Sequence, residues 1–217
     1  MLFSKALNRL VIHKLAIMDM SETPPSFENL VLDELRERIA PYLLRAAPES
    51  STTVENPAAV LIAIIKRPEP SEMLTLRLQE MSLHAGQICF LGGRFQIGDE
   101  GFLHTALRKT EKETGISQDA VELAGFLDPY KTVTGYTVIL VVGLLRGQFN
   151  LVPNRNEVDE IFEAPLAHLL NPANRERRGM VRNGTIQEFY AIDYEDRLIW
   201  GATAVVIVNF SRRLRER

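Results

Sequence analysis

With 217 residues, 46% hydrophobic and 24% charged, the chain has room for one sizeable domain, is short for two, and has the makeup of a soluble globular protein. A net charge of −3 gives no global pull toward nucleic acid or acidic membranes, and no apolar run reaches the roughly 18 residues of a membrane span. The single cysteine, Cys89, excludes an internal disulfide and any multi-cysteine metal site; within the apolar run QICF it is expected as a small core residue.

Residues 1–20, MLFSKALNRLVIHKLAIMDM, are basic and apolar with no acid before Asp19. A mitochondrial matrix-targeting segment, a docking helix, or an extension upstream of a start at Met18 or Met20 all fit that pattern. Pro24–Pro25 closes the segment, so 1–25 is read as an N-terminal extension and 26–217 as one domain. FENLVLDELRERIAPYLLRA places Leu30, Leu35, Ile39 and Leu43 at helical spacing and predicts an amphipathic helix. After the polar loop APESSTTVENP, the β-branched run AAVLIAIIK and the alternating LTLRL predict two strands, with PEPSE as the turn between them. HAGQICF predicts a further strand ending at Gly92–Gly93. A helix from about Phe102 to Thr114 follows, stopped by Gly115 at its C′ position. VELAGFL and TVILVVGLL predict two more strands around the turn-rich DPYKTVTGY, and EVDEIFEAPLAHLL a strand entering a helix at Pro165. The Asn-Gly of RNGT signals a hairpin between RRGMV and IQEFYAI. RLIWGATAVVIVNFSRRL closes the chain as a short strand and a helix, with SRRLRER as a solvated last turn favoured by the helix dipole. Strands interleaved with few helices imply an α/β fold, a mixed sheet between helical layers.

The helix ending in LRKTEKETG carries the chemistry. Residues 109, 112 and 113 share one helical face, opposite Leu103, Ala106, Leu107 and Thr110, which point toward the packed side. The charged stripe is therefore Lys109, Lys112 and Glu113, with Arg108 beside it. Gly92–Gly93, ahead of the helix, lets backbone approach a ligand closely. Three carboxylates on such a stripe hold Mg²⁺ through oxygen, but two lysine ammonium groups repel it. A solvated face, with Lys109 and Glu113 as an i,i+4 pair of roughly 0.2–0.5 kcal/mol, also fits. His13, His84, His104 and His168 form no spaced metal set, and no Ser-His-Asp arrangement is recognisable.

The stretch GRFQIGDEGFLHTALRKTEKETGI, Gly93 to Ile116, resembles the box that defines Nudix hydrolases. Gly93, Arg108, Glu113, Gly115 and Ile116 match it; Lys109 and Lys112 stand where the box has glutamates, and Thr110 replaces an aliphatic residue. LTLRLQEMSLHAGQICFLGG, just upstream, resembles the branch that cleaves coenzyme A and its thioesters. Leu74, Thr75, Arg77, Gly86, Phe90, Gly92 and Gly93 match that branch, whereas Leu78, Ser82 and Leu91 depart from it. LDPYKTVTGY, LVPNRNEVDEIFEAPLAHLLNP and IWGATA also look like the branch, although Ile139 and Leu140 replace a Thr-Pro. The resemblance covers about residues 55–210. It implies the Nudix fold, an α/β/α sandwich around a mixed β-sheet, and Mg²⁺- or Mn²⁺-dependent hydrolysis of the diphosphate of coenzyme A. It makes Glu113 the one glutamate left of three metal positions and gives Arg108 the task of orienting the helix glutamates. Arg77, Gly86, Phe90, Gly92 and Gly93 fall in the substrate-recognition stretch.

Three readings stay open. In the first, hydrolysis is weak or absent, and Lys109 and Lys112 meet the phosphates of a nucleotide or coenzyme A derivative. In the second, a working hydrolase recruits Glu157 or Glu160, or Asp99 and Glu100; Glu111 is unsuited, lying about 200° around the helix from Lys109. In the third, the protein binds a partner or is structural. A cytoplasmic location is expected, and a homodimer is left open.

Overall fold

The computed structural model describes residues 54–81, 84–182 and 184–215, with Asp33, Leu35, Glu37 and Ala40. The two most apolar runs become strands β1 (Pro57–Ile65) and β6 (Thr137–Leu145), paired in parallel from Pro57 opposite Thr137 to Ile65 opposite Leu145. Both read as continuous hydrophobic stretches because both faces of this pair are covered. On one face Ala59, Leu61, Ala63, Ile139 and Val141 pack against Phe102, Ala106 and Ile116 of helix α1 (Phe102–Thr114) and the residues just after it. On the other face Ile62, Ile64, Val142 and Leu144 join Leu166 and Leu170 of α2 (Leu166–Leu170) and Ile207 and Phe210 of α3 (Gly201–Arg213).

Around this pair a mixed sheet of seven strands forms among the described residues. Strand β5 (Val121–Lys131) lies antiparallel to β6. The other edge of β1 is shared: its C-terminal half pairs with β2 (Ser71–Arg77) and its N-terminal half with β4 (Leu91–Arg94). The short β3 (Ile88–Cys89) pairs with β2, so the chain from Ile88 to Arg94 starts on β2 and finishes on β1. Strand β7 (Val158–Pro165) covers the outer edge of β2, with an irregularity at Leu76/Arg77 that leaves Asp159 as the extra residue. A second, three-stranded sheet consists of β8 (Arg175–Arg182), β9 (Thr185–Tyr194) and β10 (Arg197–Trp200). The layers are those of an α/β/α sandwich around a mixed sheet.

Most expected elements are present, with informative shifts. β2 begins at Ser71, inside the segment expected as a turn. Glu72 drives the difference: it is 1% exposed and its Oε1 accepts the Ala63 N–H at 2.8 Å, so its carboxyl works inside the sheet. β5 runs on through Asp128, Pro129 and Tyr130, also expected as turn, which leaves only residues 132–136 for the connection. HAGQICF yields only the two-residue β3, because His84 has φ +57° and its ring nitrogen meets Gln87 Oε1 at 2.8 Å in a turn. Within the described part of SRRLRER, Ser211 and Leu214 are buried rather than solvated. The helix expected over 27–46 lies largely outside the described residues; Asp33, Leu35 and Glu37 are helical and Leu35 is fully buried. Residues 1–25 and Ser82 also lie outside them.

Gly92 is closely hemmed in by backbone. Its φ is +139°, and a Cβ there would stand 2.4 Å from the Ala59 carbonyl oxygen and 2.6 Å from the Val60 Cα. Both obstacles are β1 backbone, which has no room to retreat in the middle of the sheet. Gly92→Ala is expected to cost about 2–4 kcal/mol of stability, as backbone strain plus overpacking, read as a lowered urea midpoint with an unchanged slope.

Candidate functional site

Helix α1 starts after Gly101 and ends at Gly115, whose φ of +76° allows the left-handed turn and whose N–H donates to the Glu111 carbonyl at 2.8 Å. The next carbonyls along are not left to water. Val152 N–H donates to Thr114 O at 2.7 Å and Asn154 N–H to Glu113 O at 3.0 Å. This binds the loop ahead of β7 to the helix end and satisfies orphan acceptors of the last turn. The same loop carries Glu157, whose own carbonyl accepts the Leu78 N–H at 3.3 Å. Glu157 is thereby held between the end of β2 and the charged side of α1.

There Glu157 bridges the two lysines. Lys112 Nζ lies 2.5 Å from its Oε1 and Lys109 Nζ 3.4 Å from its Oε2. Lys109 is the better sheltered, 13% exposed against 52% for Lys112. The hydrogen bond from Lys112, with Lys109 nearby, holds the Glu157 carboxyl below its ordinary value. The Lys109 stem runs across Gly93, where a Cβ would stand 2.6 Å from Lys109 Cε, so the absence of a side chain makes its path.

Glu113 is not on the exposed stripe that helical spacing implied. It is 3% exposed, on the buried side with Ala106 and Thr110, and its Oε2 accepts the Gly92 N–H at 3.1 Å. Burial pushes its carboxyl up to about 7, the Gly92 bond and the charges of Lys109 and Arg77 offsetting part of that. The i,i+4 pair with Lys109 is replaced by the longer-range pairing of Lys109 with Glu157. Arg77, at the end of β2, has a buried Nε with no hydrogen-bond partner among the described residues. Its charge acts on both Glu113 and Cys89. Burial pushes the Cys89 thiol up to about 11, against a nucleophile. Cys89 is nevertheless only partly buried and lies outside both core clusters, against the expectation of a core residue.

The structure thus brings together Arg77, Gly92, Gly93, Lys109, Lys112, Glu113 and Glu157, and takes other expected site residues elsewhere. Arg108 does not orient the helix glutamates. It grips Asp99 with Nε at 2.6 Å and Nη2 at 2.9 Å, and Asp99 also accepts from the Gln96 N–H and Thr105 hydroxyl, both at 2.9 Å. Against the upward push of burial, Arg108 and these donors hold the Asp99 carboxyl at about 2. This knot fastens the loop before α1 onto the helix, and so removes Asp99 from the candidate metal ligands. Glu160 faces Arg197, 2.6 Å from its Nη2, and Glu111 accepts from Gln118 Nε2 at 2.9 Å. Phe90 is buried in the core layer of α2 and α3, away from the layer under α1. Gly86, with φ +62°, packs against the Gln79 amide in the turn before β3. Sequence spacing carries no sign of the loop-to-helix bonds from Val152 and Asn154, since backbone groups make them. Among the described residues no group of three or more His, Cys, Asp or Glu is placed to hold a metal ion, and no helix is long and apolar enough to cross a membrane.

Comparison with known proteins agrees with this architecture. The NUDIX domain family model matches residues 55–184. The chain is 36% identical over 181 residues to the uncharacterized Nudix hydrolase NudL of Escherichia coli O7:K1 (strain IAI39 / ExPEC), covering 83% of this chain and 93% of that protein. It shows the same identity and coverage with NudL of Shigella sonnei (strain Ss046). Among solved structures, the Nudix hydrolase RenU of M. smegmatis superposes with a TM-score of 0.43 at 19% identity, over 51% of this chain and 71% of that one. On the family match and on relatives more than a third identical across most of its length, the chain belongs to the Nudix family.

Proposed function

We propose that this Nudix domain binds the diphosphate of a nucleotide derivative of the coenzyme A class beside Gly92–Gly93, and hydrolyses it weakly or not at all. The reading rests on one observation, the pairing of Lys109 and Lys112 with a single carboxylate, Glu157. A divalent cation is held by oxygen donors. Here two ammonium groups occupy the face that would supply them, and Glu113, the remaining box glutamate, is bonded to Gly92 and half protonated near neutral pH. The residues do not fit Mg²⁺ or Mn²⁺, and nothing in this set activates a water through one. Of the substitute carboxylates, Asp99 is committed to Arg108 and Glu160 to Arg197, and Glu157 is held by the two lysines.

The same arrangement favours an anion. Lys109, Lys112 and Arg77 contribute three positive charges against Glu157 and a partly neutral Glu113. Phosphate oxygens entering over Gly93 compete with Glu157 for the lysines, which act as point charges toward phosphate. The glycine pair leaves backbone open to that approach.

The test is coenzyme A binding and turnover by the full chain. Binding is expected to persist in chelator and to weaken with salt, with little or no product in Mg²⁺ or Mn²⁺. Lys109→Glu/Lys112→Glu, which restores three carboxylates on the helix, is expected to gain metal-dependent turnover and lose chelator-resistant binding. Metal-dependent turnover by the native chain as fast as that of the double variant, abolished by Glu113→Gln, would overturn the proposal.

Glu113 also predicts a pH dependence of stability. Its proton is held more tightly in the folded state (about 7) than at the ordinary value of 4.5, so its contribution is complete below 4.5 and is lost as pH rises through 7. Across that window the native chain should lose about 3 kcal/mol through this group. Glu113→Gln should lack that loss, so the stability difference between variant and native chain grows with pH by this amount, measured by chemical denaturation at each end. A difference that stays flat would show that Glu113 titrates normally.

A further inference from the structure

The second sheet and the end of α3 carry a cluster that the lysine site does not use. In the β8–β9 pairing Arg177 stands opposite Tyr190 and Arg175 opposite Ile192. Alternate residues of a strand and their cross-strand partners share one face. Ile192 is fully buried in the core layer that includes Phe210 and Leu214, so this is the face beneath α3. The last turn of α3 brings Arg212 over it, with Nη2 3.1 Å from the Tyr190 hydroxyl oxygen. Arg215, three residues on, keeps to the same side and donates through Nε to the Ser211 carbonyl at 3.2 Å. Arg177 approaches the same tyrosine oxygen at 3.4 Å, with its guanidinium carbon 5.0 Å from the ring centroid.

The local carboxylates are spoken for. Glu188 holds Arg177 at 2.7 Å, Glu176 and Asp193 hold Arg178 on the opposite face, and Asp128 holds Arg213. Among the described residues none pairs with Arg175, Arg212 or Arg215. The helix dipole accounts for cations on the last turn of α3, but not for Arg175, which a strand brings to the same place. Burial there, with Arg215 and Arg212 close by, pulls the Arg175 guanidinium down to about 10. Tyr190 accepts from two guanidinium groups, which leaves its O–H hydrogen to donate outward.

We propose that Arg175, Arg212, Arg215 and the Tyr190 hydroxyl form a second anion site, which takes the phosphate group of a small phosphorylated ligand. Planar guanidinium forks match phosphate oxygens two at a time, and a phosphate supplies the negative charge that no carboxylate among the described residues brings to these three arginines. The site stands apart from the lysine pair. The Thr203 hydroxyl, near the other end of α3, donates to the Ile88 carbonyl beside Cys89 at 2.8 Å. Nine residues of helix separate Thr203 from Arg212, about 14 Å.

The probe is inorganic pyrophosphate, titrated in chelator by calorimetry and thermal shift into the full chain carrying Lys109→Gln/Lys112→Gln, which removes the other candidate site. Binding and a raised Tm are expected in this background. Affinity should fall roughly tenfold or more with Arg212→Gln/Arg215→Gln, and several-fold with Tyr190→Phe. Arg215→Gln alone, which forgoes only a bond to the Ser211 carbonyl, serves if the double change does not fold. Flotation with phosphatidate-containing vesicles, against phosphatidylcholine alone, identifies the source: arginine-dependent binding to the former would uphold the phosphate chemistry and assign it to a lipid headgroup. Failure of both pyrophosphate and phosphatidate to bind in the lysine-substituted background, or binding indifferent to the arginine changes, would overturn the site.

Discussion

The backbone of Gly92 against β1 is the contact on which the rest of the site depends. Only a residue without Cβ fits against the Ala59 carbonyl and the Val60 Cα, and that closeness is what turns the Gly92 N–H toward α1. Glu113 meets it from the helix side. One hydrogen bond thus joins the central parallel pair, the glycine strand and the helix. It also draws the glutamate below the surface, and so raises its proton affinity. Gly93, next in line, leaves the gap through which Lys109 extends toward Glu157.

Two further fastenings give the helix its position, and neither involves a metal. At its start, Arg108 and Thr105 grip Asp99 and tie down the loop. At its end, the Glu113 and Thr114 carbonyls receive N–H groups from Asn154 and Val152. The loop so tethered is the one that delivers Glu157, so the ion pairs follow from backbone geometry. They add a charge match to a position already set.

Much of the architecture was legible in the residues. AAVLIAII and TVILVVGLL have the continuous apolar character of strands covered on both faces, and they are the parallel pair. Gly115 ends α1, and Gly184, with φ +76°, lies between β8 and β9 as turn chemistry requires. The losses share a physical cause, tertiary contacts that reverse local appearance. Glu72 looks like a turn residue and sits in the sheet because its carboxylate accepts the Ala63 N–H. Glu113 looks like part of a charged stripe and is buried, its carboxylate accepting the Gly92 N–H. Arg108 and Asp99 lie nine residues apart, a separation that no helical or strand period marks. Glu157 was visible as a candidate carboxylate, but its double pairing required the loop to be folded onto the helix end.

The charge exchange on α1 is consistent with the stability of this design. Carboxylates crowded on one helical face repel one another unless a cation lies among them. With lysine at 109 and 112 the balancing cation is covalent, and the repulsion that remains, between the two ammonium groups, is relieved by Glu157 between them. The sheltered Lys109 contact counts for more than the half-exposed Lys112 contact, because solvent screens the latter. A site built this way is held by its own ion pairs, and an anion entering it would have to displace the Glu157 carboxylate. On the proposed function, that requirement favours ligands with more than one negative oxygen over singly charged ones, which is the physical reason for proposing a diphosphate rather than a simple carboxylate.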